Sequence, residues 1–262
     1  CVFIVDTIVS AYMHYHSFDF YPTSFLAIFP LRPLTLFSAY RSPAKTLTYW
    51  HRPHKSITNL PVLLIHGIGV GLYPYINFLG ELIAADAKDP LNGQVGIIAI
   101  EIMPISSRII AAALLKDEMC EEINCILTAH GWSRIILICL KPARANEHLL
   151  SYFGSKDMGV LYTLFCRFFW ADNVLWKEDI QGYRASVVLA GSDIVIDTKT
   201  IGAYLTGADD WILEPSHWEY GIWKGDGLDV VWFQDLDHEQ VFDTRSRRGR
   251  LVDIVRRFCV EG

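Results

Sequence analysis

At 262 residues, with 52% hydrophobic, 13% aromatic and only 20% charged positions, the chain can bury a substantial core and has nothing of a disordered composition. Its formal charge of -6 offers no basic field to a phosphate backbone. The one dense basic cluster, Arg245, Arg247, Arg248 and Arg250, belongs to a C-terminal amphipathic pattern, so nucleic acid is excluded as the expected partner. Six cysteines are scattered without CxxC pairs, and Cys120 and Cys125 fall on different faces of a helical segment. That pattern predicts buried thiols, not a disulfide framework or a zinc site, and favours an intracellular or membrane-associated protein.

The chain opens on Cys1, which implies a beginning inside something longer or after processing. Residues 1–34 form an apolar arm that Asp6 and Asp19 split and Pro22 and Pro30 punctuate. No uninterrupted run of about 18 apolar residues is left, so the arm is expected to pack or to touch a membrane surface, not to span one. Residues 35–262 then read as one domain. Residues 35–40 and 46–53 have the β-branched and aromatic content of an antiparallel pair around the turn-like "RSPAK". "LPVLLIHGIG" (60–69) and "GQVGIIAIEI" (93–102) are continuous apolar runs, the mark of strands buried on both faces of a parallel sheet, and "SRIILICL" (133–140) is the third.

Between these runs, residues 73–86 and 107–131 place their apolar positions at helical spacing, the second ending at Gly131. Strand, helix, strand, helix, strand with short joins predicts an α/β fold with a mostly parallel sheet flanked by helices. Residues 141–183 then carry many aromatics and no buried strand, and read as a helical insert or lid. The strand rhythm returns at 185–197 and 228–238, with helices at "TKTIGAYLTG" and from about residue 246 to 260.

In an open parallel sheet, ligands and reacting groups gather at the carboxyl ends of the strands. The first such end gives "HGIG" (66–69), a tight glycine turn whose backbone N–H groups could face an oxyanion. After a later strand comes Asp193 in "AGSDIVID"; an acid there could orient a histidine and stabilise its imidazolium, while Asp197 suits the N-cap of the following helix. His238 lies just past the last strand in "DLDHEQ", between acidic neighbours that would otherwise make a solvated turn.

Oxyanion turn, acid and histidine in that chain order resemble the α/β-hydrolase superfamily, whose triad runs Ser, Asp, His. "LPVLLIHGIGVGLYPY", "GSDIVID" and "DLDH" are similar to its oxyanion, acid and histidine segments, and "SKDMGVLYTLFCRFFWADNVLWKEDI" looks like the insert of a group of fungal members. The resemblance implies esterase- or lipase-like acyl ester hydrolysis without a cofactor, a small apolar or acyl ligand, Asp193 as the acid and His238 as the general base. It places the oxyanion turn at Gly67, Ile68 and Gly69, with Ile68 and Gly69 as the amide donors.

The nucleophile is missing. The strand ending near Leu140 should run into Gly-x-Ser-x-Gly, a crowded strand-to-helix elbow that lifts a serine hydroxyl above the sheet. Here "LICLKPARANEHLL" has no glycine and no serine before Ser151. One helix and one strand, a unit of roughly 30 residues or more, are absent with it. Substitutes fit poorly: Ser133 precedes its strand, Cys139 lies in an apolar run that keeps a thiol neutral, and Ser192 sits in the acid loop. This chain is therefore expected to have little ester turnover, and to be either an inactive form of a hydrolase or a non-catalytic member that binds a lipid or a protein.

Other patterns carry less. His14 and His16, and His51 and His54, bring no carboxylate or thiol at metal-ligand spacing, so they read as surface histidines and no metal is expected. "GIGVG" starts as a dinucleotide loop might, but only Glu101 ends the next strand as an acidic ribose partner.

Overall fold

A computed structural model describes residues 2–24, 32–67, 69–87, 93–106, 114–140, 175–193, 197–208, 221–225, 227–238 and 240–261. The chain divides into two compact units, residues 1–173 with 248–262, and residues 174–247. Both are α/β.

The first unit opens on helix α1, Val2–Tyr15, which turns Val9, Ser10 and Met13 inward and leaves Phe3, Ile4, Ile8 and Tyr15 exposed. Strand β1, Asp19–Tyr21, follows and pairs antiparallel with β2, Thr48–Arg52. Strand β2 runs antiparallel to β4, Ile97–Glu101, and β4 lies parallel to β3, Val62–Ile65. Strand β5, Ile136–Cys139, is parallel to β3 on its other side, which gives the order β1-β2-β4-β3-β5. The apolar runs explain the centre: every residue of β2 and β4 is buried, as are the first three of β3. Leu63, Ile98, Ile100 and Tyr49 join Ile126 of helix α3, Lys116–Ala129, in one core cluster.

Helix α2, Ile76–Asp86, buries Ile76, Phe78, Leu79 and Leu82. Helix α3 begins with Asp117 and Glu118 in its first turn, where carboxylates face the positive end of the helix dipole, and the Glu118 carboxylate accepts from the Leu115 amide at 3.0 Å. Its Glu122 carboxylate accepts from the Thr46 and Leu47 amides at 3.0 Å, fastening the helix to the approach of β2. The last helix, α6 (Arg245–Glu261), buries Leu251, Val252, Val255 and Cys259, and the Cys259 carbonyl accepts from the Leu60 amide at 3.0 Å just before β3. Burial pushes the Cys259 thiol up to about 11.

The second unit contains the one-turn helix α4, Lys177–Ile180, and strand β6, Ala185–Ala190, parallel to β8, Leu228–Phe233. Strand β7, Gly221–Lys224, pairs antiparallel with β8, giving the order β6-β8-β7. Leu189, Val230 and Trp232 pack with Leu205 of helix α5, Thr198–Thr206. Asp197 caps that helix, its carboxylate accepting from the Thr200 amide at 3.1 Å and the Thr200 hydroxyl at 2.7 Å. Those bonds hold its pKa below the usual carboxylate range. Gly207, at φ 73°, ends the helix in a left-handed turn.

Several expectations need correction. The antiparallel partner of β2 is β1 of the N-terminal arm; residues 35–40 do not form a strand, because Pro33 opens a 3-10 turn at Pro33–Phe37. Strand β5 is not buried on both faces: it is the outermost strand of its sheet among the described residues, with Leu137 and Cys139 exposed. Of the four described cysteines only Cys259 is buried. The expected insert at 141–183 lies outside the described residues up to residue 174. Among the described residues no helix is long and apolar enough to cross a membrane.

Candidate acid–histidine site

Beyond the carboxyl ends of β6 and β8 the chain makes two short loops, residues 191–193 and 234–238. They are bonded to each other through the backbone. The Gly191 amide donates to the Phe233 carbonyl and the Ser192 amide to the Leu236 carbonyl, both at 2.8 Å. This parallel continuation of the β6–β8 ladder carries Asp193 and His238 out to the same place.

His238 Nδ1 and Asp193 Oδ2 are 2.6 Å apart, with the two side chains 6% and 4% exposed. A carboxylate can only accept, so Nδ1 carries the hydrogen and the lone pair of the neutral ring lies on Nε2. That Nε2 is buried and has no hydrogen-bond partner among the described residues. The loop is braced at its base: the His238 amide donates to the Asp237 carboxylate at 2.6 Å, and the Asp237 amide to the Gln240 side-chain carbonyl at 2.9 Å. Chemically this is an oriented base. A proton taken at Nε2 leaves an imidazolium whose charge faces Asp193 directly.

The glycine turn belongs to the first unit. His66 Nε2 accepts from the Ile102 amide at 2.9 Å, so its Nδ1–H donates to the Gly67 carbonyl at 2.6 Å. Burial holds His66 below the ordinary histidine range. It is a neutral brace between the ends of β3 and β4. The Gly69 amide donates to the Ile105 carbonyl at 2.9 Å, so it is engaged within the protein and not turned toward a ligand. Ile68 lies outside the described residues.

Among the described residues none of the candidate nucleophiles is activated. Cys139 has surface open to solvent, yet enough protein surrounds it to push its thiol up to about 11, with Cys120 adding to the effect. At neutral pH it is a thiol and not a thiolate. Ser133 precedes β5, at the opposite end from the strand's carboxyl terminus. The Ser192 hydroxyl donates to the Gln234 carbonyl at 3.3 Å. Ser151 lies outside the described residues.

Glu101 is not available to a ribose: its carboxylate binds the guanidinium of Arg32 and accepts from Trp50 Nε1 at 2.8 Å. Sequence reading missed this network, whose members lie far apart along the chain. It also misplaced His51, which is buried under His130 with ring centroids 3.8 Å apart, and not on the surface. His14 reaches the Ser10 carbonyl at 2.8 Å, and His54 Nδ1 accepts from the Gly96 amide at 3.0 Å. Among the described residues no group of three His, Cys, Asp or Glu could hold a metal ion.

No protein-family model matches this chain, and no curated protein matches it. The residues themselves therefore carry the functional argument.

Proposed function

We propose that this chain is an α/β-hydrolase-type protein of the esterase or lipase kind that keeps the acid and base of an acyl-ester centre and lacks its nucleophile. The observation that carries the reading is the 2.6 Å bond from His238 Nδ1 to Asp193, with Nε2 buried and unpartnered among the described residues. In a complete centre of this type a serine hydroxyl attacks the acyl carbonyl as Nε2 takes its proton. That proton then passes to the departing alkoxide, and water repeats the cycle to release the acid. By the resemblance alone, the oxyanion donors would be amides of residues 67–69, of which the Gly69 amide is bonded to the Ile105 carbonyl.

Among the described residues the base has no nucleophile to activate. After β5 comes Leu140-Lys141-Pro142, without the small residues an elbow requires. The expected result is no labelling by a fluorophosphonate probe, and hydrolysis of a short p-nitrophenyl ester no faster than in His238→Ala. Labelling at a defined serine that His238→Ala abolishes would overturn the nucleophile-free reading. A second reading is a non-catalytic member that binds an acyl chain, in line with the absence of Gly-x-Ser-x-Gly from the sequence. Saturable binding of a fatty acid in equilibrium dialysis, without turnover of its ester, would support it.

A further inference from the structure

Gly191 lies where the acid loop crosses the histidine loop. A Cβ built there would stand 2.4 Å from the Gln234 carbonyl oxygen, 2.8 Å from the Gln234 Cα and 2.8 Å from Trp232 Cζ2. Two of these are backbone atoms that cannot rotate away. The backbone of Gly191 is not in the left-handed region, so no conformational demand calls for glycine. What the position requires is the absence of a side chain. The same crossing carries the Gly191 and Ser192 amide bonds to Phe233 and Leu236, and the Ser192 hydroxyl bond to the Gln234 carbonyl.

We infer that Gly191 is a positioning residue for the Asp193–His238 pair: by letting the two loops touch backbone to backbone, it sets the distance at which the carboxylate meets the imidazole. Real Cβ atoms essentially never approach another heavy atom closer than 3.0 Å, so any side chain at 191 must move the loops apart by roughly half an ångström or more. Asp193 follows two residues later and His238 four residues after Gln234, with little chain to absorb the shift. A short ion-assisted bond does not survive that displacement intact. The relevance of this spacing to ester chemistry rests on the function proposed above; the spacing itself does not.

The test reads the pair and not turnover. In protein labelled with 15N-histidine, the Nδ1–H of His238 should give a downfield proton resonance, assigned by its loss in His238→Gln. Gly191→Ala should abolish it or move it upfield. Gly207→Ala, which strains a left-handed backbone with nothing within 4 Å of the added atom, should lower stability and keep the resonance. A resonance unchanged in Gly191→Ala, or absent from the unaltered protein, overturns the inference.

Should Gly191→Ala fail to fold, amide exchange in Asp193→Asn decides. If the crossing positions the pair, the Gly191 and Ser192 amides stay protected to within about threefold when the pair is broken. A loss of protection of about a hundredfold or more would mean that the pair holds the loops, and would refute the assignment. Ester turnover enters none of these readouts, so the inference and the proposed activity stand or fall separately.

Discussion

Replacing Arg32 by methionine is expected to lower the stability of the first unit by about 3–5 kcal/mol, the range for breaking a buried ion pair from one side. Arg32 is 2% exposed, and two of its guanidinium nitrogens engage the two carboxylate oxygens of Glu101. The Trp50 indole N–H donates to the same carboxylate, Asp6 stands 3.9 Å from Arg32 Nε, and the guanidinium lies over the Phe20 ring at 4.5 Å. Removing the cation leaves Glu101 in a site built to hold it as an anion. The network also ties α1, through Asp6, and β1, through Phe20, to the end of β4. Glu101→Gln should be costly for the reciprocal reason.

The double variant Arg32→Met/Glu101→Met removes both charges and should recover much of the loss, because neither partner is left buried alone. Urea unfolding of the two single variants and the double variant measures the coupling. Single-variant losses that simply add in the double would show that the two side chains do not act as a pair.

Acid should weaken the same unit before its carboxylates titrate. His51 is 8% exposed, and neither ring nitrogen has a hydrogen-bond partner among the described residues. Its ring stacks on His130, whose Nε2 meets the Tyr49 hydroxyl at 2.9 Å, and Tyr21 and Trp132 pack around it. Desolvation, with the nearby His130 adding to it, lowers its pKa from 6.5 to about 4. Burial likewise lowers His130 and His66.

For each of these the unfolded chain takes its proton first. Their contribution to stability is therefore whole above about pH 6.5 and shrinks as the pH falls toward the folded value. For His51 that value is about 4, and its share, discounted for partial solvent screening, is about 2 kcal/mol. His51→Phe keeps a flat ring against His130 and cannot ionise. Between pH 7 and pH 4.5 its melting temperature should fall less than that of the unaltered protein. Equal slopes would remove His51 from the account.

The parallel core was readable because β3 and β4 need continuous apolar runs, and "VLLI" and "IIAIE" can serve almost nothing else at that length. Chain order and strand ends single out Asp193 and His238 in the sequence, and in the structure the two side chains lie 2.6 Å apart. The rest failed for definite reasons. "DFY" and "GIWK" are three- and four-residue strands whose identity comes from the neighbours they pair with, not from a pattern of their own. The run "ILIC" looks like an interior strand, but an outermost strand of a sheet can have the same composition, and only the ladder distinguishes them. The Arg32–Glu101 pair joins residues 69 positions apart, and no local signal links them.

Cysteine exposure makes the protein its own reporter. Cys120 and Cys125 lie open on α3, whereas Cys259 is sealed inside α6 with a thiol near 11. A maleimide should therefore take the first two at once and reach Cys259 only when α6 lifts from the sheet. The slow phase of alkylation that Cys259→Ser removes then times the detachment of the C-terminal helix at neutral pH, without denaturant.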